Sequence, residues 1–347
     1  MSTFIFRSLI IAAHAVLAAS AAFAQINGEV IAAAKREGSV TLYAAFPSAP
    51  LYATITKSFQ EKYGIRVDVL QIRASELHER IRAEQAAGRF LGDVLQAADA
   101  STQMRIADRH VGKLGTIPNG HNMVPGMEPT EHRIGAFIGA FGIMVNTNLV
   151  KAEDEPKSWT DLLDPKWKGK LAWREGSDSG NLLFITNIIM DMGEQKADAY
   201  FQKLAQQKIV NFTGSARTLV NNVMSGEYPM ALNIFLHHPV ISAQKGAPVA
   251  ALPLQPVPSL NGTVLFVKGA PNPHAAMLLI DYMLSKEGQA TLEAADYLPA
   301  HPDASTNAIL ASIIPKKAGL KENFIAPQKL FDLNDKAEDA LKKYFKN

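Results

Sequence analysis

Two hydrophobic periods alternate along the chain, one helical and one extended, and their order sets out a fold. "GEVIAAAKREG" places Val30, Ile31 and Ala34 on one helical face. "SVTLYAAF" then reads as a buried strand, rich in β-forming residues. "LYATITKSFQEKYG" returns to the helical period and closes on Gly64, where the chain leaves the helix. "IRVDVLQI" is a second alternating strand. "ASELHERIRAEQAAG" is a helix with Ser75 as its predicted N-cap and Gly88 at its end, and "GDVLQAA" is a third strand. Strand–helix–strand–helix–strand at these lengths predicts a parallel, doubly wound sheet.

Further on, "HRIGAFIGAFGIMVNTNLV" reads as two strand-like runs broken by Gly135, Gly139 and Gly142. "SWTDLLDPKWKGKLAW" reads as a short helix, a turn and a strand. Helices follow at about 180–192, at 196–207 and in "ARTLVNNVMSGE", and "YPMALNIF" is a strand whose end carries His237 and His238. "NGTVLFVKGAPNPHAAMLLIDYMLSKEGQATLEAA" gives a strand, a turn and one long helix. The pattern predicts two α/β lobes, 25–136 with 263–310 and 137–262 with 311–347. The chain crosses between them near 134–142 and 258–264, where Gly- and Pro-rich segments can absorb a hinge rotation.

A length of 347 residues is enough for two cores, and 47% hydrophobic with 20% charged residues describes an ordinary globular chain. A formal charge of +2 without a dense Lys/Arg run gives no case for a nucleic-acid partner. At the N-terminus, Arg7 precedes an apolar stretch from Leu9 to Ala19, and Ala22–Ala24 is a small-x-small cleavage signal. The apolar run falls short of the ~20 residues that span a bilayer, so residues 1–24 are predicted to be a signal peptide cleaved near Ala24. With no cysteine there is neither a disulfide nor a cysteine-linked lipid anchor. The expectation is an exported, soluble, periplasmic monomer.

Catalytic signatures fail one by one. "EGSDSG" puts Asp178 where a nucleophile elbow needs serine. Neither Gly112–Lys113 nor Gly169–Lys170 has the upstream glycine of a P-loop, and no H-E-x-x-H occurs. No catalytic residue, cofactor or metal site is predicted.

Several phrases together carry a resemblance: "SFQEKYGIRVDVL", "ASELHERIRAEQAAGRFLGDVL", "SWTDLLDPKWKGKLAW", "VNNVMSGEYPMAL" and "KGAPNPHAAMLLIDYMLSKEGQATL". They resemble the extracellular solute-binding proteins of ABC importers, in the branch that holds ferric-iron binders and relatives for phosphonates, sugar phosphates, thiamine and polyamines. The resemblance implies a two-lobed type II periplasmic-binding-protein fold, each lobe a mainly parallel sheet flanked by helices. It also implies a small-molecule ligand between the lobes and a membrane permease as partner. Ferric binders of the branch are similar in a tyrosine pair, an early histidine and a glutamate. Here the matching positions are Leu236 and His237, Pro47, and Ala98 with Asp99 beside it, so the usual tyrosinate iron site is not expected.

The reading that remains is a small organic anion, carboxylate or phosphate/phosphonate. The alternatives are iron or an iron complex in a non-tyrosinate site, a polyamine, a sugar, or an exported enzyme on the same scaffold. Three loops offer polar groups: Ser48 in "FPSAP", Arg73 and Ser75 in "RASEL", and "REGSDSGN" with Arg174, Ser177, Ser179, Gly180 and Asn181. Phe46, Phe141 and Phe235 are candidate ring contacts, Arg217 a candidate bidentate cation, and Asp99 and His237 complete the candidate ligand-binding set.

Overall fold

In a computed structural model of the chain, the structure describes residues 26–44, 49–72, 74–97, 109–124, 127–176, 179–295, 297–304 and 312–345. The opening elements follow the sequence pattern: α1 (Gly28–Glu37), β1 (Ser39–Ala44), α2 (Ala49–Tyr63), β2 (Arg66–Gln71), α3 (Ala74–Ala86) and β3 (Val94–Ala97). Gly38 caps α1 in the left-handed region at φ 74° and returns its N–H to the Ala34 carbonyl. α3 begins at Ala74, so Ser75 lies inside its first turn rather than at the predicted cap.

β4 (Arg133–Asn146) is one continuous strand of 14 residues, not two runs. Its glycines do not break it; they admit neighbours where a Cβ would collide. A Cβ on Gly135 would meet Met127, and one on Gly142 would lie 2.6 Å from the Leu252 carbonyl oxygen. After β4 come β5 (Leu171–Arg174), α4 (Ser179–Met192), α5 (Glu194–Ala205), β6 (Val210–Phe212), α6 (Ala216–Ser225), β7 (Met230–Phe235), α7 (His237–Gln244), β8 (Val249–Leu252) and β9 (Val257–Phe266).

The predicted long helix after β9 is two helices, α8 (Pro273–Leu284) and α9 (Lys286–Ala294). Ser285 ends the first in extended conformation and caps the second by accepting from Gly288 N. Then follow β10 (Leu298–Pro299), α10 (Pro315–Ala318), β11 (Glu322–Phe324) and α11 (Pro327–Tyr344).

The main path of the sheet runs β2-β1-β3-β9-β4-β7-β5-β6. Its two wings are parallel, β2-β1-β3 on one side and β7-β5-β6 on the other. The centre is antiparallel, because β4 and β9 each run from one wing into the other. One apolar cluster gathers around Leu42, Phe59, Val94, Phe137, Val264 and Leu279. A second gathers around Val145, Trp173, Phe184, Phe201, Leu232 and Leu341. The second includes α11, whose Ala337 and Leu341 lie four apart on the face that meets α4.

Candidate functional site

Strand register shows where the two wings face each other. β3 ends at Ala97, opposite Thr263 of β9, and β7 ends at Phe235, opposite Phe141 of β4. Between those points β4 and β9 pair as Gly135 with Thr263, Ile138 with Asn261 and Ala140 with Ser259. The C-terminal ends of both parallel wings therefore point toward one belt, residues 135–141 of β4 and 259–263 of β9. Parallel sheets bind ligands at such strand ends, where side chains and helix N-termini converge.

The belt is mainly apolar. Phe141 and Phe235 stack with centroids 4.1 Å apart at 37°, and both close on Gly139 from one side. Ser259 donates to the Glu322 carboxylate. Asn261 is only 8% exposed, and its Oδ1 has no hydrogen-bond partner among the described residues. In the sequence the one signal for this asparagine is a lone amide within the apolar run "VPSLNGTVLF".

At the end of β7 the chain turns at Leu236, whose φ of −59° and ψ of −25° are already helical, and α7 starts at His237. The two histidines therefore stand in a first helical turn, not at the strand end where the sequence pattern places them. Pro239 is tolerated because first-turn N–H groups have no intrahelical partner.

His237 is 1% exposed and neither ring nitrogen has a partner among the described residues. Its ring centroid lies 5.1 Å from Phe235, 4.5 Å from His238 and 5.2 Å from Tyr297. Burial, then the neighbouring His238 and Arg217, drive its pKa well below the ordinary histidine value. Burial and Arg217 lower His238 to about 4. Arg217 itself is exposed on α6, so its positive charge reaches this corner from the solvent side.

On the second wing, β5 leads through Arg174 and Gly176 into α4. Gly180 and Asn181 are buried in the first turn of that helix. Asn181 Nδ2 donates to the Arg174 carbonyl at 2.6 Å and the Gly176 carbonyl at 3.1 Å, and its Oδ1 accepts from Asn233 Nδ2 at 2.8 Å. Arg174 Nε donates to the Gly214 carbonyl at 3.0 Å.

Of the candidate residues, Phe46, Ser48, Arg73, Asp99 and Ser177 lie outside the described residues, as do Pro47 and Ala98. Ser75 and Ser179 sit in the first turns of α3 and α4. Phe141, Phe235 and His237 come together at the β7 end, and Arg217 acts on the same corner. Arg174, Gly180 and Asn181 come together at the β5 end. Among the described residues no three histidine, aspartate or glutamate side chains are grouped to hold a metal.

Two parallel wings whose strand ends meet across two shared strands define a solute-binding protein of the periplasmic type. Residues 116–319 match the family model for bacterial extracellular solute-binding proteins, and the chain belongs to that family. It is similar to iron uptake protein A1 of Synechocystis, 27% identical over 254 residues that make up 69% of each chain. Its fold is that of AfuA from Actinobacillus pleuropneumoniae, solved with fructose 6-phosphate bound. The TM-score there is 0.75 at 23% identity, over 88% of this chain and 98% of the other. The ferric binding protein from Campylobacter jejuni aligns with a TM-score of 0.74 at 19% identity, over 88% and 99%. The chain is thus the solute-binding component of an ABC transporter, a family of exported transport proteins whose partners are a ligand and a permease.

Proposed function

We propose that the protein captures a small organic anion, a carboxylate or a phosphate- or phosphonate-bearing molecule, at the belt between its wings and delivers it to a membrane permease. The wings act as lobes, 25–136 with 263–310 and 137–262 with 311–347, in line with the separate apolar clusters on either side.

The observation that carries this reading is the start of α4 at the end of β5. There the positive end of a 14-residue helix lies beside β7 through the Asn181–Asn233 bond, and Leu183 packs with Phe141 and Leu260 of the belt. The charge of Arg217, felt at both histidines, adds to the same sign of field. A tyrosinate ferric site is disfavoured, since Leu236 is fully buried and His237 is a neutral imidazole among rings. On this reading the ligand supplies the hydrogen-bond partner that His237 lacks, and Phe141 and Phe235 form the apolar wall.

A thermal-shift panel tests it with orthophosphate, fructose 6-phosphate, an alkylphosphonate, citrate, ferric citrate and spermidine. An anion at a hundred-fold excess over Kd should stabilise the protein by about 2.7 kcal/mol. Shifts with ferric citrate or spermidine alone, and with no iron-free anion, would refute the proposal. The bound anion should exchange off chemically unchanged; turnover would point to the enzyme alternative.

A further inference from the structure

We infer that Asn233 and Asn181 are positioning residues, an amide relay that fixes the start of α4 against the end of β5, Gly176 and β7 before ligand arrives. The inference rests on the anion reading for its functional meaning, while the relay itself stands on three observations in the second wing.

The first is a β-bulge. Between Gly142 and Met144 β4 takes two steps, while β7 takes three, from Ile234 back to Ala231. The extra residue falls at Leu232–Asn233. The second is Asn233's backbone, which lies in the left-handed region at φ 57°, rare for any residue with a side chain and least unfavourable for asparagine. Bulges bend a strand and re-aim a side chain, and such backbone strain persists only where surrounding contacts hold it.

The third is where the re-aimed amide goes. Asn233 is 8% exposed and Asn181 1%, and they bond to each other at 2.8 Å. The orientation of both amides is fixed by chemistry: Asn181 faces two carbonyl oxygens, Arg174 O and Gly176 O, which only its NH2 group can satisfy. Its oxygen is therefore left for Asn233, whose NH2 group must be the donor.

The consequence is mechanical. One buried amide ties the last residue of β5 and the left-handed Gly176 to the third residue of α4, and a second amide ties that knot to β7. Both ends of the turn are thus held against the strand that leads to His237. Asn181 has its donors and its acceptor engaged inside the protein, so it holds the turn rather than gripping solute. Holding the helix start in place without ligand removes an ordering cost from binding.

The test compares the wild type with Asn233→Gly, which keeps the left-handed backbone open to the residue and removes only the amide, and with Asn181→Ala. Hydrogen exchange on the ligand-free proteins reads the relay directly. Both variants should exchange faster in the segment 174–184, with the rest of the second wing unchanged. Titration with orthophosphate and with fructose 6-phosphate reads the function. Affinity for whichever probe binds the wild type should fall about ten-fold in Asn181→Ala and less in Asn233→Gly, which leaves the two carbonyl bonds of Asn181 in place, and the double variant should lose no more than Asn181→Ala. Unchanged exchange in 174–184, or additive losses of affinity, would overturn the relay. Faster exchange confined to 174–184 with neither probe binding the wild type would support the relay and count against the anion reading instead.

Discussion

Asp93 and His237 are both buried polar side chains, and the protein treats them in opposite ways. Asp93, fully buried just before β3, accepts from Thr41 N at 2.7 Å, Asn272 N at 2.7 Å and Asn272 Nδ2 at 3.1 Å. Burial pushes its carboxyl pKa up and those hydrogen bonds pull it back. It pins the start of β1 and the N-terminal approach to α8 onto the base of β3, at the strand ends remote from the belt. His237, equally buried at the belt, is given rings and no partner among the described residues. Satisfied burial marks architecture at Asp93, and on the proposed reading the partner that His237 lacks among the described residues is the solute.

The largest effect that can break this comparison is Asp93→Ala. Two backbone donors and a side-chain amide lose their acceptor, and a buried donor left unmade costs roughly 1–3 kcal/mol. A loss of about 3 kcal/mol is expected, read as a fall in thermal midpoint of roughly 5 °C, while anion affinity of the folded protein stays within about two-fold of wild type. A fall of only a degree or two would mean that water reaches those donors and that the contrast with His237 is false.

His237 carries the opposite expectation. His237→Leu removes two unpartnered nitrogens from an apolar box, so the midpoint at neutral pH should hold or rise by about 2 °C, while anion affinity should drop more than in His238→Ala. Acid sharpens the point. In the folded state both histidines have pKa values lowered from 6.5, so the unfolded chain takes up protons first as pH falls. The stability from neutral burial is complete above 6.5 and drains away from there toward pH 4, where His238 titrates in the fold. Midpoints measured from pH 7.5 to 5 should decline in the wild type and decline less steeply in His237→Leu, where His238 alone remains of the pair; parallel curves would remove His237 from the account.

How much of this was legible in the sequence depends on the range of the forces involved. Helix closures such as Gly64 and the first three strands were readable because their signals are local. β4 was misread as two runs, because Gly135 and Gly142 matter through Met127 and Leu252, which no local period reveals. α7 was misread as a strand end because the apolar run from Met230 masks the turn at Leu236. Phe141, Phe235 and His237 were chosen from sequence and do meet, since strand ends converge in any doubly wound sheet. Asn233 was missed because its role comes from a bulge, a mismatch between two strands that neither strand carries alone. α11 went unread although Leu330, Leu333, Ala337 and Leu341 hold helical spacing after Pro327.

Ser285 supplies the smallest test and lies between the two extremes. Its Oγ accepts from Gly288 N at 3.1 Å and donates to the Tyr282 carbonyl at 2.7 Å, so it both ends α8 and starts α9. It resembles Asp93 in being satisfied, but it is half-buried, and water can take over part of its bonding when the hydroxyl is lost. Loss of an N-cap serine costs about 1 kcal/mol, so Ser285→Ala should lower the midpoint by about 1.5 °C, with ligand affinity untouched. Ser285→Asp, which keeps an acceptor at the cap and favours the positive helix end, should restore most of that. If Ser285→Ala instead matched the loss in Asp93→Ala, hydrogen-bond count rather than burial would govern the scale, and the contrast between Asp93 and His237 would need another cause.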